Sequence, residues 1–358
     1  MNSRNHALDV LRAAAILEII GYHMGLPAFS ATAAFGVDLF FVLSGFFISG
    51  ALFSDYRKYG TIRLTRFWMR RAFKILPPIY FYLFIVLLLM VTIAPMREIM
   101  TTSDLWHVVL FCSNYYPAHR FVAHTWSLSL EEQFYLCLPL LLVALRRWNK
   151  SLTTLPWVFL LVMVVTFVFR VFDPANSWSF QSRADNLFAG VMLRYMVDFK
   201  PTWFSALTRF ALVPGLLCWI PAVLLPVLHS GPAVSLMYVW IDLSCACLVA
   251  WCYAHDSAAF WSWAPFKALA SVGFYSYSIY IWQQPIFCVF RYGFPSSPLM
   301  VAAGFATCLL IGIGMAKLIE APAMHLRDAW FKETPVATLL AVPQIPQQPQ
   351  APMSNLRL

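Results

Sequence analysis

The sequence predicts an all-α membrane protein, a polytopic bundle of about ten transmembrane helices with both termini cytoplasmic. Three observations carry that expectation. Of the 358 residues, 61% are hydrophobic and only 11% are charged, less than half the roughly 25% charge of a soluble domain. Apolar windows of about 20 residues, the length a spanning helix needs, recur along the chain. The lysines and arginines are divided unevenly among the connections between those windows. The aromatic share of 17% suits rings that face lipid and collect at bilayer interfaces. This composition excludes a disordered chain, a secreted disulfide scaffold and a soluble nucleic-acid binder.

The candidate spans run 7–26, 33–53, 72–94, 127–145, 152–172, 185–198, 210–229, 233–253, 268–290 and 298–319. The first follows Arg4 and so resembles a signal peptide. Asp9, Arg12 and Glu18 interrupt it and no convincing cleavage site follows, so it is retained as the first membrane helix. With the N-terminus inside, the second-to-third connection holds Arg57, Lys58, Arg63, Arg66, Arg70, Arg71 and Lys74. Arg146, Arg147 and Lys150, then Arg194, Lys200 and Arg209, and finally Lys317, Arg327, Lys332 and Arg357 fall on the same side. The opposite side receives only Arg97, Arg120, Arg170, Arg183 and Arg291. That asymmetry is the positive-inside pattern. Most of the net charge of +9 is therefore topology signal rather than affinity for nucleic acid.

Residues 1–332 read as one transmembrane domain. Residues 333–358, with Pro335, Pro343, Pro346, Pro349 and Pro352 among glutamines, read as a disordered cytoplasmic tail that cannot bury enough apolar surface to fold alone. No internal repeat stands out, which weighs against a transporter. No large soluble domain follows the membrane part, which points to a self-sufficient unit or one with a separate partner.

Ionisable groups inside spans are costly, and each is a candidate functional residue. Arg12 and His23 are eleven residues apart, about three turns, so they share a helix face about 16 Å apart along the axis. Such a pair can hold two ends of one elongated ligand; the plainer alternative is a snorkelling arginine and a satisfied bundle histidine. Asp38, just after the short first connection, is placed to reach His23 and fix its tautomer. Glu131 and Glu132 stand early in an apolar span, about 100° apart around the helix, and Glu131 lies seven residues after His124. At least one of the two must face a polar interior. Arg63, Arg66, Arg70 and Lys74 form a basic stripe that either anchors the helix end or captures phosphate. The eight cysteines lack the paired spacing of zinc sites and read as small apolar packing groups, with no metal expected.

These segments resemble the acyltransferase-3 family of integral membrane acyltransferases from Leu8 to about Arg327. The resemblance rests on Leu8-Asp9-Val10-Leu11-Arg12-Ala13, the Arg12 to His23 spacing, and the run from Gly36 to Phe46 with Asp38-Leu39-Phe40-Phe41 and Ser44-Gly45. It continues through Arg70-Arg71-Ala72-Phe73-Lys74-Ile75-Leu76-Pro77 and Trp126-Ser127-Leu128-Ser129-Leu130-Glu131-Glu132-Gln133-Phe134-Tyr135. Arg183-Ala184-Asp185-Asn186, Tyr277-Ser278-Ile279-Tyr280-Ile281-Trp282 and Glu320-Ala321-Pro322 complete it. One such motif is weak; this many in this order is specific. Two departures matter. Val10 stands where glycine is common, and Gln283 stands where a histidine often follows the tryptophan, which places more of the chemistry on His23. Lys74 replaces the last arginine of the basic motif, keeping its charge but not its fork.

The resemblance implies transfer of an acyl group, usually acetyl from acetyl-CoA or another acyl-CoA, to a hydroxyl of a glycan or glycolipid at the bacterial inner membrane. Arg12 and His23 match the essential pair. His23 is then general base or transient acyl carrier, Asp38 its orienting group, and Glu131 an acceptor-holding or proton-shuttling group. Arg66, Arg70, Arg71 and Lys74 are expected at the donor phosphates. Glu132, His124, Arg183 and Asp185 are expected at the acceptor. The expected partners are the bilayer, the donor and the glycan, with glycan-assembly proteins or a second copy as further candidates and no nucleic acid. A transporter or flippase of acyl or glycan units, and a non-catalytic partner of a glycan-assembly complex, are the rival functions.

Overall fold

The computed structural model describes residues 5–27, 29, 35–92, 100–116, 120–148, 152–225, 230–294 and 297–331. Arg4, Arg97, Lys150, Lys332, Arg357 and the 333–358 tail lie outside these described residues. The described chain is helical throughout, without strands. In order come α1 (His6–His23), α2 (Phe35–Tyr59), α3 (Leu64–Thr92), α4 (Thr102–Val109), α5 (Thr125–Trp148), α6 (Leu155–Phe172) and α7 (Phe180–Phe199). They are followed by α8 (Pro201–Thr208), α9 (Leu212–Leu217), α10 (Trp219–Leu224), α11 (Gly231–Ala254), α12 (Ala264–Phe274), α13 (Ser276–Gly293), α14 (Pro298–Met315) and α15 (Ala321–Trp330).

The helix starts follow their local chemistry. Asn5 accepts from the Leu8 amide at 2.8 Å and opens α1. Ser230 and Ser297 cap α11 and α14 in the same way, each followed closely by a proline whose missing N–H costs nothing in the first turn. Between α14 and α15 the chain makes a π-helical turn, Ala316–Glu320. Such turns recur at functional sites.

Every expected span has a helix at its place, but length and composition alone qualify fewer than ten. Six helices among the described residues are long and apolar enough to cross a membrane, and the pair Pro201–Thr208 with Leu212–Leu224, bent by 60°, makes up to seven. The shortfall has a physical cause. α1 carries Asp9, Arg12 and Glu18, and α7 carries Arg183, Asp185, Arg194 and Asp198, while α12 and α13 are separated at Tyr275. α1 and α7 are polar because they bury Asp9 and Glu18, and Arg183 and Asp185, inside the bundle.

α2 and α7 cross at the centre of the bundle. A Cβ on Gly45 would lie 1.9 Å from the Leu187 carbonyl oxygen, and one on Gly190 would lie 2.1 Å from the Val42 carbonyl oxygen. Only glycine permits this backbone approach. One apolar core forms where α2, α3, α5 and α7 meet, with Phe41, Phe53, Tyr82 and Phe134 fully enclosed. A second joins α1 and α2 to α11, and a third joins α1 to α13 and α14. α1 therefore lies between two cores, with Arg12 and His23 half-buried along it.

Candidate active site

A cavity of about 190 Å³ opens among α1, α2, α3, α5, α12 and α13. Arg12, Ser44, Arg71, Lys74, Ser127, Glu131, Tyr135 and Tyr280 supply its polar lining. On α5 the lining is a single stripe, Ser127, Glu131 and Tyr135, at i, i+4 and i+8. On α3 it is Arg71 and Lys74 at i and i+3, which turns the rest of the basic stripe away from the cavity.

A hydrogen-bonded chain crosses the cavity wall. The Tyr135 hydroxyl donates to Glu131 Oε2 at 3.0 Å, and Ser44 Oγ makes a short hydrogen bond with that same hydroxyl. Arg71 lies beside them, its guanidinium carbon 5.8 Å from the Tyr135 ring centre. Arg71 has no hydrogen bond or ion pair among the described residues, which leaves its fork available to an anion. Arg12 is held by Asp9 at 3.0 Å and lies over the Phe47 ring at 4.4 Å, with its side chain 31% exposed.

The other expected donor-site cations are placed differently. Arg66 donates to the Phe331 carbonyl at 3.3 Å and faces the Phe331 ring. Arg63 forks onto Asp55, with contacts of 2.6 and 3.1 Å. Arg70 is not among the residues lining the cavity. Lys74 does line it, but its ammonium is ion-paired with Glu320. Glu320 in turn accepts from Ser278 Oγ at 2.6 Å. The π turn ends at the buried Glu320, so Lys74 meets a carboxylate from the far end of the chain.

His23 ends α1. Its Nδ1 meets Gln283 Oε1 at 2.8 Å, and its ring stacks on Phe287 with centroids 5.2 Å apart. The expected Asp38–His23 contact is not made. Asp38 is fully buried and ion-pairs with Arg183 through Oδ1, while Oδ2 has no hydrogen-bond partner. The close α2–α7 crossing decides this, because it brings Arg183 onto Asp38. Asp185 pairs with Arg170 at 2.5 Å, and the Tyr238 ring faces both guanidiniums at 4.3 and 5.0 Å. Arg183 and Asp185 thus belong to a buried charge cluster and do not line the cavity.

His124 is buried between Tyr82 and Tyr280, with ring centroids 5.6 and 5.5 Å away. Neither of its ring nitrogens has a well-formed hydrogen bond. Tyr280, which lines the cavity, bonds Ser127 at 2.6 Å and the His124 carbonyl at 2.7 Å. The cavity wall at Tyr280 therefore adjoins His124, and His23 is not among the residues lining the cavity. Glu132 leaves one buried carboxylate oxygen unpaired and is not among the cavity-lining residues.

Sequence reasoning missed Tyr135, Ser44 and Tyr280 as site residues. Tyr135 was signalled by its i+4 position from Glu131. Ser44 and Tyr280 carried no comparable local signal. The eight cysteines are free thiols, most of them buried in helix packing.

A family model described as an acyltransferase domain matches residues 5–317. The peptidoglycan O-acetyltransferase OatA of Listeria monocytogenes is 26% identical over 315 residues, covering 78% of this chain and 49% of that protein. The O-acetyltransferase OatA of Staphylococcus aureus is 29% identical over 311 residues, covering 78% and 50%. The chain spans about half the length of the curated relatives it matches. No solved structure matches it significantly.

Proposed function

The chain belongs to the acyltransferase-3 family, and from that premise we propose that it is a multi-pass O-acyltransferase of the bacterial inner membrane. It moves an acyl group, acetyl in the first instance, from an acyl-CoA thioester to a hydroxyl of a cell-surface glycan or glycolipid. The names of the relatives, which specify O-acetyl transfer and in one case peptidoglycan, support acetyl and glycan as donor group and acceptor.

The observation that carries this reading is the arrangement along α1. Arg12 lines a cavity beside the unpaired Arg71, and His23 stands about three turns further on with only Nδ1 engaged. At about 190 Å³ the cavity is smaller than the 300–1,000 Å³ of ligand pockets that enclose a whole drug-sized molecule. It suits the thioester end of a donor whose phosphates stay at the mouth, against Arg71 and Arg12. His23 Nε2 takes the proton of the acceptor hydroxyl as its oxygen attacks the thioester carbonyl. The carbon–sulfur bond then breaks, and the thiolate leaves with the proton returned from the imidazolium. Glu131, linked through Tyr135 to Ser44, fixes the polar wall past which the acyl group travels.

The sidedness belongs to the same proposal. α1, α7 and the α12–α13 pair add crossings to the apolar ones, giving ten, with both termini cytoplasmic and the donor arriving from that side.

The test is the purified chain in lipid vesicles with isotopically labelled acetyl-CoA and a glycan acceptor. Label should appear in a base-labile ester with stoichiometric release of free thiol. Label that crosses the vesicle wall with its thioester intact would instead support a transporter and sink the enzyme assignment.

A further inference from the structure

A second cavity, of about 340 Å³, lies at the other end of α1 from Arg12. Met24 and Gly25 from the end of α1, Phe290, Arg291 and Tyr292 from the last turns of α13, and residues of the first turn of α14 form its wall. It shares no lining residue with the donor cavity.

The recess is built around a guanidinium. Gly25 has φ +78°, and a Cβ there would lie 1.7 Å from Arg291 Nη1, so the arginine rests against a bare α-carbon that only glycine provides. Arg291 has no hydrogen bond or ion pair among the described residues. A second guanidinium, that of Arg120, stands 4.3 Å from the Tyr292 ring centre. Tyr292 packs on Phe287 at 5.6 Å, and Phe287 stacks on the His23 imidazole at 5.2 Å. An arginine at a helix C-terminus compensates the helix dipole. That accounts for the position of Arg291, but not for the open volume or for Arg120 and Tyr292 beside it.

The wall holds one unpaired guanidinium, that of Arg291, and no carboxylate among its described residues, which selects an anion; a forked guanidinium suits carboxylate or phosphate. Tyr292 is 55% exposed, and the part of its ring not covered by Arg120 and Phe287 offers an apolar surface with a polar tip. We propose that this recess receives the acceptor as an anionic sugar, with its carboxylate or phosphate on Arg291, its ring against Tyr292, and the hydroxyl to be acylated directed to His23. The inference rests on the acyl-transfer reading and adds to it the acceptor's charge and its place.

The experiment is equilibrium binding to the full chain in lipid nanodiscs. The probes are one disaccharide in three forms: neutral, bearing a uronic carboxylate, and bearing a 1-phosphate. A charged form should bind about ten- to a hundredfold more tightly than the neutral one, the tighter of the two identifying the source of the charge. Arg291→Gln should erase that preference, Arg291→Lys should retain part of it, and Tyr292→Ala should weaken all three forms alike. Absence of binding, equal binding of the three forms, or a preference that survives Arg291→Gln overturns the inference. Because binding is read without turnover, charge-selective binding by a protein that transfers no acyl group would sink the assigned reaction and leave the recess standing.

Discussion

Nδ1 of His23 lies 2.8 Å from Oε1 of Gln283, a residue 260 positions further along the chain. An amide oxygen can only accept, so Nδ1 carries the proton and Nε2 is left as the basic nitrogen. A glutamine at this position orients the imidazole without titrating beside it. The expected outcome is that His23→Gln stays folded, still binds donor, and loses about 10²- to 10⁴-fold in acyl transfer. Gln283→Leu keeps the imidazole but frees its tautomer, and should lose only about tenfold, the worth of one hydrogen bond. Single-turnover transfer with size-exclusion profiles checks both. Wild-type turnover by a folded His23→Gln protein would remove His23 from the chemistry.

Arg71 and Arg66 are five residues apart on α3, yet only Arg71 faces the cavity. Arg71→Ala should weaken donor binding by about 1.5–3 kcal/mol, as expected for a charge-assisted contact. Arg66→Ala should leave donor affinity nearly unchanged, because its guanidinium is engaged with Phe331. Titration of the purified variants with a non-hydrolysable acyl-CoA measures the difference. Equal losses would mean that bulk positive charge, rather than the cavity wall, holds the donor.

Asp38 and Arg183 form a buried pair, both nearly inaccessible to solvent. Removing one partner strands a charge, so Asp38→Ala should cost about 3–5 kcal/mol of stability. Replacing both, as Asp38→Leu with Arg183→Met, should recover much of that loss. Thermal unfolding in detergent, read as a double-mutant cycle, reports the coupling. An Asp38→Ala protein of unchanged stability but lost activity would restore Asp38 to the catalytic group.

The proposed orientation puts Lys58, in the last turn of α2, in the cytoplasm and Ser103, on α4, outside. In a Cys137→Ser background, Lys58→Cys should react with a membrane-impermeant maleimide only in inverted vesicles. Ser103→Cys should react in intact cells. The reverse pattern would invert the bundle.

The helical membrane architecture, the approximate place of the long helices and the shared face of Arg12 and His23 were legible in the sequence; the short α4, α8 and α15 and the break between α12 and α13 were not. Each legible feature is a local or periodic property: an apolar window spans a bilayer, and 3.6 residues per turn fixes which side chains align. That at least one of Glu131 and Glu132 faces a polar interior was legible from the cost of a carboxylate in an apolar span, and Glu131 is the one that lines the cavity. Pairing was not legible, because it depends on which helices pack together. Asp38 meets Arg183 because Gly45 and Gly190 let α2 and α7 approach, and Lys74 meets Glu320, the buried end of a π turn, across 246 positions of chain. Fewer than ten helices qualify as spans by length and composition because some carry charges, several of whose partners lie on other helices. A sequence records which charges enter the membrane; only the tertiary packing decides which of them neutralise one another and which, like Arg71, are left facing a cavity.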